Sequence, residues 1–182
     1  MELFTERLHL RPFTPEDGEA LWQIFKDEET MRALCPYTKE ETLEFLRSFC
    51  VERTPPGGWA VEEQATGGLI GYVLFHSPED PVCGSTRTYE IGWVFRRDKW
   101  RQGFATEICR EVLRFGFEEL HLHRIFAETT DALRSVGLME KLGMHREGVL
   151  RQAVQGEDGD WQDLYLYALL ESDFFSSREA NQ

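Results

Sequence analysis

Nowhere in these 182 residues do about 18 uninterrupted apolar residues occur to span a bilayer, and the opening MELFTERLHLRPF has no apolar run of signal-peptide length. The expectation is a soluble, cytoplasmic protein with no membrane partner. Cysteine is sparse and unpatterned. Cys35, Cys50, Cys83 and Cys109 lack CxxC spacing, which suits neither a zinc site nor a disulfide framework, so they read as buried or incidental thiols. Neither a G-x-x-x-x-G-K-[ST] nor a G-x-G-x-x-G motif is present, and no internal repeat or low-complexity tract appears. Positive charge is also short: 20 Lys and Arg stand against 33 Asp and Glu, for a net charge of -13. A chain of pI about 4.8 repels phosphate backbones, which argues against nucleic acid as the general partner. A cationic or neutral substrate fits better, with mere solubility as the competing reading.

With 41% hydrophobic residues the chain can bury one substantial core, so a single domain over residues 1–182 is expected. Leu8 and Leu10 alternate as a strand, and Thr14 with Pro15 reads as a hydroxyl cap and first-turn proline of a helix. Thr38 with Glu41 is a second helix start, ahead of Leu43, Leu46, Phe49 and Cys50; Pro55, Pro56, Gly57 and Gly58 end that helix. WAVEEQ and LIGYVLF form a hairpin about the turn Ala65 to Gly68. Residues 76–87 are rich in turn formers, either a functional loop or a disordered one. TYEIGWVF, Thr88 to Phe95, is a strand, and Ile108, Val112, Phe115 and Leu120 mark a helix after Gly103. There follow a strand RIFAET, a helix from about Ser135 to Leu142 ended by Gly143, a strand within MHREGVLRQAV, a GEDGD turn and the strand WQDLYLYAL. The final SSREANQ reads as a frayed tail. Trp22, Trp59, Tyr72 and Phe75 read as core or as cleft lining.

Against the acidic background, Arg96, Arg97, Lys99 and Arg101 crowd around Gly103, between a strand and a helix. A helix N-terminus leaves backbone N–H groups unpaired and its dipole favours an anion there. Gly103 permits close approach and Ala105 keeps the next turn nearly bare, so a diphosphate is the natural guest. The plainer alternative is a solvated charged loop whose glycine serves turn geometry. Asp98 among the cations suggests that some of them only balance charge. His121 and His123 flank Leu122 without further ligands, so no metal is expected.

Trp100 to Glu107, W-R-Q-G-F-A-T-E, resembles the acyl-CoA pyrophosphate loop of the GNAT acetyltransferases, Q/R-x-x-G-x-G/A. Trp100 departs from the first position, but an aromatic there resembles the RimJ/RimL branch. TERLHLRPF at Thr5 to Phe13 is similar to that branch's opening strand, EIGWV at Glu90 to Val94 to its central strand, and LMEKLGMHREGVLR at Leu138 to Arg151 to its last helix and following strand. The resemblance implies an α/β (α+β) GNAT fold: a mixed, mostly antiparallel twisted sheet splayed between its fourth and fifth strands, flanked by about four helices. It implies acetyl-CoA as co-substrate, with the pantetheine arm on the backbone of Trp93, Val94 and Phe95. The diphosphate would lie on Arg101, Gln102, Gly103, Phe104, Ala105 and Thr106, with Arg96 at the rim.

Acetyl transfer to an amine needs a base, because the amine carries a proton at neutral pH. Glu90 stands where the resemblance puts a catalytic glutamate, with a structural ion pair as its alternative. The N–H near Val94 is a candidate oxyanion donor. Ser135 resembles the serine of the family's N-x-x-S segment, either as the acid for the leaving thiolate or as a helix cap. Two positions depart from the pattern. Ala132 replaces the asparagine, so that contact to the coenzyme is either lost or supplied elsewhere, as by Asp131 with a local shift in register, and Val154 stands where some relatives carry an acid. The residues Glu62, Glu63, Glu79, Asp80, Glu157, Asp158 and Asp160 are candidates for an acidic acceptor side. The reading is an acetyl-CoA-dependent N-acetyltransferase acting directly on a primary amine, whether a small molecule such as a polyamine or a protein N-terminus. A homodimer is compatible with it. The rival is a non-catalytic acyl-CoA-binding module on the same fold.

Overall fold

The structure is a computed structural model that describes residues 1–32, 36–51, 57–78, 87–156 and 159–179. Most of the 76–87 stretch, the prolines after the second helix, part of the GEDGD turn and the last three residues lie outside the described residues. Contacts divide the chain into two compact units, Met1–His76 with Gly92–Glu111, and Ser77–Ile91 with Val112–Gln182.

The first unit opens with β1 (Leu3–Phe4) and β2 (Leu8–Arg11), which pair antiparallel. A 3-10 turn, Pro15–Asp17, leads into α1 (Gly18–Phe25). Thr14 is the N-cap, as expected, with Pro15 in the first turn, and Asp17 completes the capping box: its carboxylate accepts from the Thr14 N–H at 2.8 Å and from its hydroxyl at 3.4 Å. Asp17 can sit at 6% exposure there because the Arg11 guanidinium forks onto it at 2.8 and 2.6 Å. α2 (Lys39–Phe45) has the full expected box, with Glu41 N–H donating to the Thr38 hydroxyl at 3.2 Å and Thr38 N–H to the Glu41 carboxylate at 2.8 Å. It runs on as a wider π turn, Leu46–Val51.

β3 (Gly58–Glu63) and β4 (Gly68–His76) form the hairpin, and β2 pairs with β3. Leu8, Leu10, Leu21, Ala60, Val61 and Val73 are fully buried, each larger one worth about 1.5–3 kcal/mol of transfer free energy. Phe25 and Tyr72 lie in an edge-on arrangement with ring centroids 5.3 Å apart, so Tyr72 is core. Phe75 is also buried, stacked on Trp59 at 5.8 Å, while Trp22 lies under the Lys26 and Lys39 ammonium groups. β5 (Thr88–Phe95) and α3 (Phe104–Arg114) begin or end in this unit.

In the second unit α3 continues as a π turn, Phe115–Glu119, followed by β6 (Arg124–Thr129), α4 (Arg134–Lys141), β7 (His145–Gln155), β8 (Trp161–Leu170) and α5 (Glu171–Glu179). β5 pairs with β6 in parallel over only three residues, Thr88 to Glu90 against Arg124 to Phe126. β6 and β7 both pair antiparallel with β8, and the hydrogen-bonded order of the eight-stranded sheet is β1-β2-β3-β4-β5-β6-β8-β7. Phe117, Leu122, Ile125, Met139 and Tyr167 form this unit's buried interior. α5 carries Ser176 to Glu179 into a helix where fraying was expected, anchored by Phe174 stacked on Phe117 at 4.9 Å. Among the described residues no helix is long and apolar enough to cross a membrane.

Candidate functional site

β5 ends at Phe95, and the Arg96 N–H donates to the Ile70 carbonyl of β4 at 2.8 Å. Polar groups along a strand alternate between its two edges. The Val94 carbonyl therefore faces β4 as well, and a Cβ on Gly71 would lie 2.4 Å from it. By that alternation Val94 turns its N–H and C=O toward β4, whereas Trp93 and Phe95 present theirs on the opposite edge. Trp93 is half-buried, Val94 and Phe95 buried.

Past β5 a 3-10 turn, Arg97–Lys99, brings Trp100 back onto the strand end. Its indole N–H donates to the Phe95 carbonyl at 2.7 Å, and Gln102 Nε2 donates to the Asp98 carbonyl at 2.8 Å. Arg101 (φ 59°) and Gly103 (φ 84°) are both left-handed. For arginine that conformation costs on the order of 1–2 kcal/mol, for glycine almost nothing. α3 then starts at Phe104. Arg101, Gln102 and Gly103 are exposed and Ala105 and Thr106 half-buried, so a helix N-terminus and a turn of bare backbone open to solvent together. The Phe104 ring is buried at 4% exposure and offers only its backbone.

The four cations are not equivalent. Arg96 is held by Asp98 through two hydrogen bonds of 3.0 Å, and Lys99 by Glu63 at 2.8 Å. Among the described residues Arg97 and Arg101 have no ion pair. A cavity of about 500 Å³ at Arg97 is lined by Gln23, Asp27, Thr30, Arg96, Arg97 and Asp98, and there the bonds from Thr30, helped by the Arg97 charge, hold the Asp27 carboxyl below its ordinary range. On the acidic side, Glu62 is paired with Arg11 at 2.6 Å and Glu63 with Lys99. Glu79, Asp80, Glu157 and Asp158 lie outside the described residues.

Nothing in the sequence spacing pointed to Arg7 and Glu107, which hold this loop. Glu107 Oε1 accepts from the Thr5 hydroxyl at 2.5 Å and the Arg7 N–H at 3.0 Å, while Oε2 accepts from Arg7 Nε at 2.7 Å and lies 2.6 Å from Nη2. Arg7 Nη1 also donates to the Gln102 carbonyl at 3.0 Å, and the guanidinium carbon sits 4.3 Å from the Phe104 ring centre. Burial opposes charge at Glu107, but the bonds from Thr5 and Arg7 outweigh it, and its carboxyl is held below the ordinary range.

In the second unit Glu90 is half-buried on β5, in register with Phe126. Ser135 is half-buried within the first turn of α4, one residue past the helix start. It is not the cap. Leu133 holds the cap position, and the first N–H groups are met by Asp131, its Oδ1 accepting from the Leu133 and Arg134 N–H groups at 3.0 and 2.9 Å and its Oδ2 from Arg134 Nε at 2.8 Å. Asp131 is thereby occupied as a capping residue, and Ala132 beside it is exposed. His121 and His123 are exposed, and no group of three or more metal-ligating side chains occurs among the described residues. Cys50 and Cys109 are buried free thiols. Burial, and secondarily Asp17, pushes Cys50 up to about 12, and burial raises Cys109 as well, so neither is a thiolate nucleophile.

Residues 7–145 match the family model described as an acetyltransferase (GNAT) domain. YnaD of Bacillus subtilis, named as an uncharacterized N-acetyltransferase, is 29% identical over 96% of this chain and 99% of its own. YoaA of the same organism, named likewise, is 33% identical over 92% of this chain and 96% of its own. A GNAT-family acetyltransferase structure from Bacillus anthracis superposes with a TM-score of 0.82 at 31% identity, covering 94% of this chain and 99% of that one. Two more distant structures share the fold. A spermidine N-acetyltransferase from Vibrio cholerae, in complex with CoA and spermine, gives 0.77 at 22% identity over 94% of this chain and 99% of that one. RimL, a ribosomal L7/L12 α-N-protein acetyltransferase in complex with coenzyme A, gives 0.79 at 17% over 93% and 98%. With an α/β sheet of eight strands, a glycine turn running into a helix N-terminus and a family match over most of its length, the chain belongs to the GNAT acetyltransferases and is an N-acetyltransferase.

Proposed function

We propose that the whole chain acts as one domain that transfers an acetyl group directly from acetyl-CoA to a primary amine, within a ternary complex. The observation that carries this reading is the exposed turn from Trp100 to Gly103, with left-handed Arg101 and Gly103 running into the N-terminus of α3. Gly103, Ala105 and Thr106 would receive the diphosphate on their backbone N–H groups, and Arg101 and Arg97 would neutralise it. The edge of β5 that carries the polar groups of Trp93 and Phe95 supports these two, rather than Val94, as partners of the pantetheine arm.

Glu90 is the group proposed to take the proton from the attacking amine, directly or through water. As the tetrahedral intermediate forms, the carbonyl oxygen gains negative charge, and the Trp93 N–H is the strand donor suited to meet it. The C–S bond then breaks, and the Ser135 hydroxyl protonates the leaving thiolate. Freed from the capping role by Asp131, that hydroxyl is available for it. The acceptor is proposed from the range spanned by the fold's distant members, a polyamine or a protein N-terminus, in keeping with a RimJ/RimL-like assignment.

A panel of amines assayed by release of the coenzyme thiol tests this. Turnover above hydrolysis on at least one polyamine or N-terminal peptide is expected. Tight coenzyme binding with no turnover on any amine would instead establish a binding module, a reading favoured by Ala132 and Val154 alone.

A further inference from the structure

We propose that Arg7 is a positioning residue for the diphosphate of acetyl-CoA: from the β1–β2 connection it fixes the peptide plane that aims the Gly103 N–H outward. The inference rests on the loop reading above and names a residue that reading does not require.

In a trans peptide the C=O of one residue and the N–H of the next point in opposite directions. Arg7 Nη1 holds the Gln102 carbonyl at 3.0 Å, so the Gly103 N–H points away from the guanidinium. Without that bond, the pair of left-handed residues at 101 and 103 has few constraints on the rotation of the plane between them. The guanidinium is itself fixed on its remaining edges. Its Nε and Nη2 engage Glu107, whose other oxygen is held by Thr5 and by the Arg7 backbone, and its flat face rests on Phe104. One rigid planar fork thus references positions 102, 104 and 107 to a single point. Arg7 is already neutralised by Glu107, which distinguishes it from Arg97 and Arg101. Its part is geometric and it does not serve as a phosphate ligand.

The test compares two acetyl donors, acetyl-CoA and S-acetylpantetheine, which lacks the diphosphate and nucleotide. Arg7→Met keeps length and loses the donors. It should raise KM for acetyl-CoA about tenfold with kcat within about twofold, while kcat/KM on S-acetylpantetheine stays within about twofold. Arg7→Lys, able to pair with Glu107 but not to reach Gln102 as well, should show the same pattern at about threefold. Glu107→Gln should also weaken acetyl-CoA even though it removes an anion near the phosphates; a direct Arg7–phosphate contact predicts tighter binding instead. Equal losses on both donors, no loss on acetyl-CoA in both Arg7 variants, or tighter binding in Glu107→Gln would each overturn the proposal. A wild-type enzyme that uses both donors equally well would sink the loop reading itself.

Discussion

The indole N–H of Trp100 donates to the carbonyl of Phe95, five residues back, at 2.7 Å. The bond closes the connection between β5 and the glycine turn, and it accounts for an aromatic at the position where the family pattern has Gln or Arg. A flat side chain with one donor can reach back and tie down the strand end. Trp100→Phe keeps the ring and deletes the donor, leaving a part-buried carbonyl unpaired. Stability should fall by about 1 kcal/mol, with KM for acetyl-CoA rising a few-fold. Thermal melts and steady-state kinetics check the two together. A stability loss with unchanged KM would confine the strut to folding.

Gly103→Glu adds both a side chain at φ 84° and an anion at the proposed diphosphate site. Coenzyme A affinity should fall at least tenfold, about 1.4 kcal/mol, by calorimetry on a variant with native circular dichroism. Unchanged affinity in that folded variant removes the loop assignment.

Glu90→Gln preserves size but accepts no proton. The maximal rate should drop by about 10² or more near neutral pH, with acetyl-CoA affinity within a few-fold. Because higher pH deprotonates the amine without help, the deficit should narrow toward about pH 9. A deficit of the same size at both pH values would assign Glu90 to structure.

Asp17→Asn tests the buried pair with Arg11 below α1. Burial alone would raise the Asp17 carboxyl, but the Arg11 fork and the Thr14 N–H outweigh it and hold it below the usual carboxylate range. A lowered folded value gives stability that is fully present above the unfolded pKa of about 3.9 and lost as pH falls through the folded one. The variant should cost about 2–3 kcal/mol at pH 7, since Arg11 keeps a fifth of its side-chain surface in water, and the gap should close in strong acid. Denaturant midpoints at pH 7 and below pH 3 measure it. A gap that persists in acid would mean the cost lies in packing instead.

What the sequence made legible was what neighbouring residues decide. The bounds of β5 followed from alternation, the start of α2 from Thr38 and Glu41, and the hairpin from its turn residues. What it hid depends on residues far apart in the chain. Glu107 is engaged by Thr5 and Arg7, about a hundred positions away, and no local pattern announces such a bond. The same holds for charge: four cations were visible at 96–101, but the engagement of Lys99 depends on Glu63, and the supposedly acidic Glu62 and Glu63 are each matched by a cation. α5 escaped notice because Phe174 and Phe175 are adjacent rather than a turn apart. β1 was too short to show alternation. Ser135 is no cap because α4 starts one residue before it, and Asp131, of an equally suitable type, meets the first N–H groups instead.

Of the four basic side chains around Gly103, two already have carboxylate partners, so an incoming ligand meets two guanidinium groups and a fan of peptide dipoles. Peptide dipoles are fixed in place, act over short range and attract no diffuse ion cloud, whereas a bare cluster of four cations would gather any polyanion in reach. For the diphosphate proposed to seat here, that division would favour a short anion able to reach the backbone over a long phosphate chain gathered by charge alone.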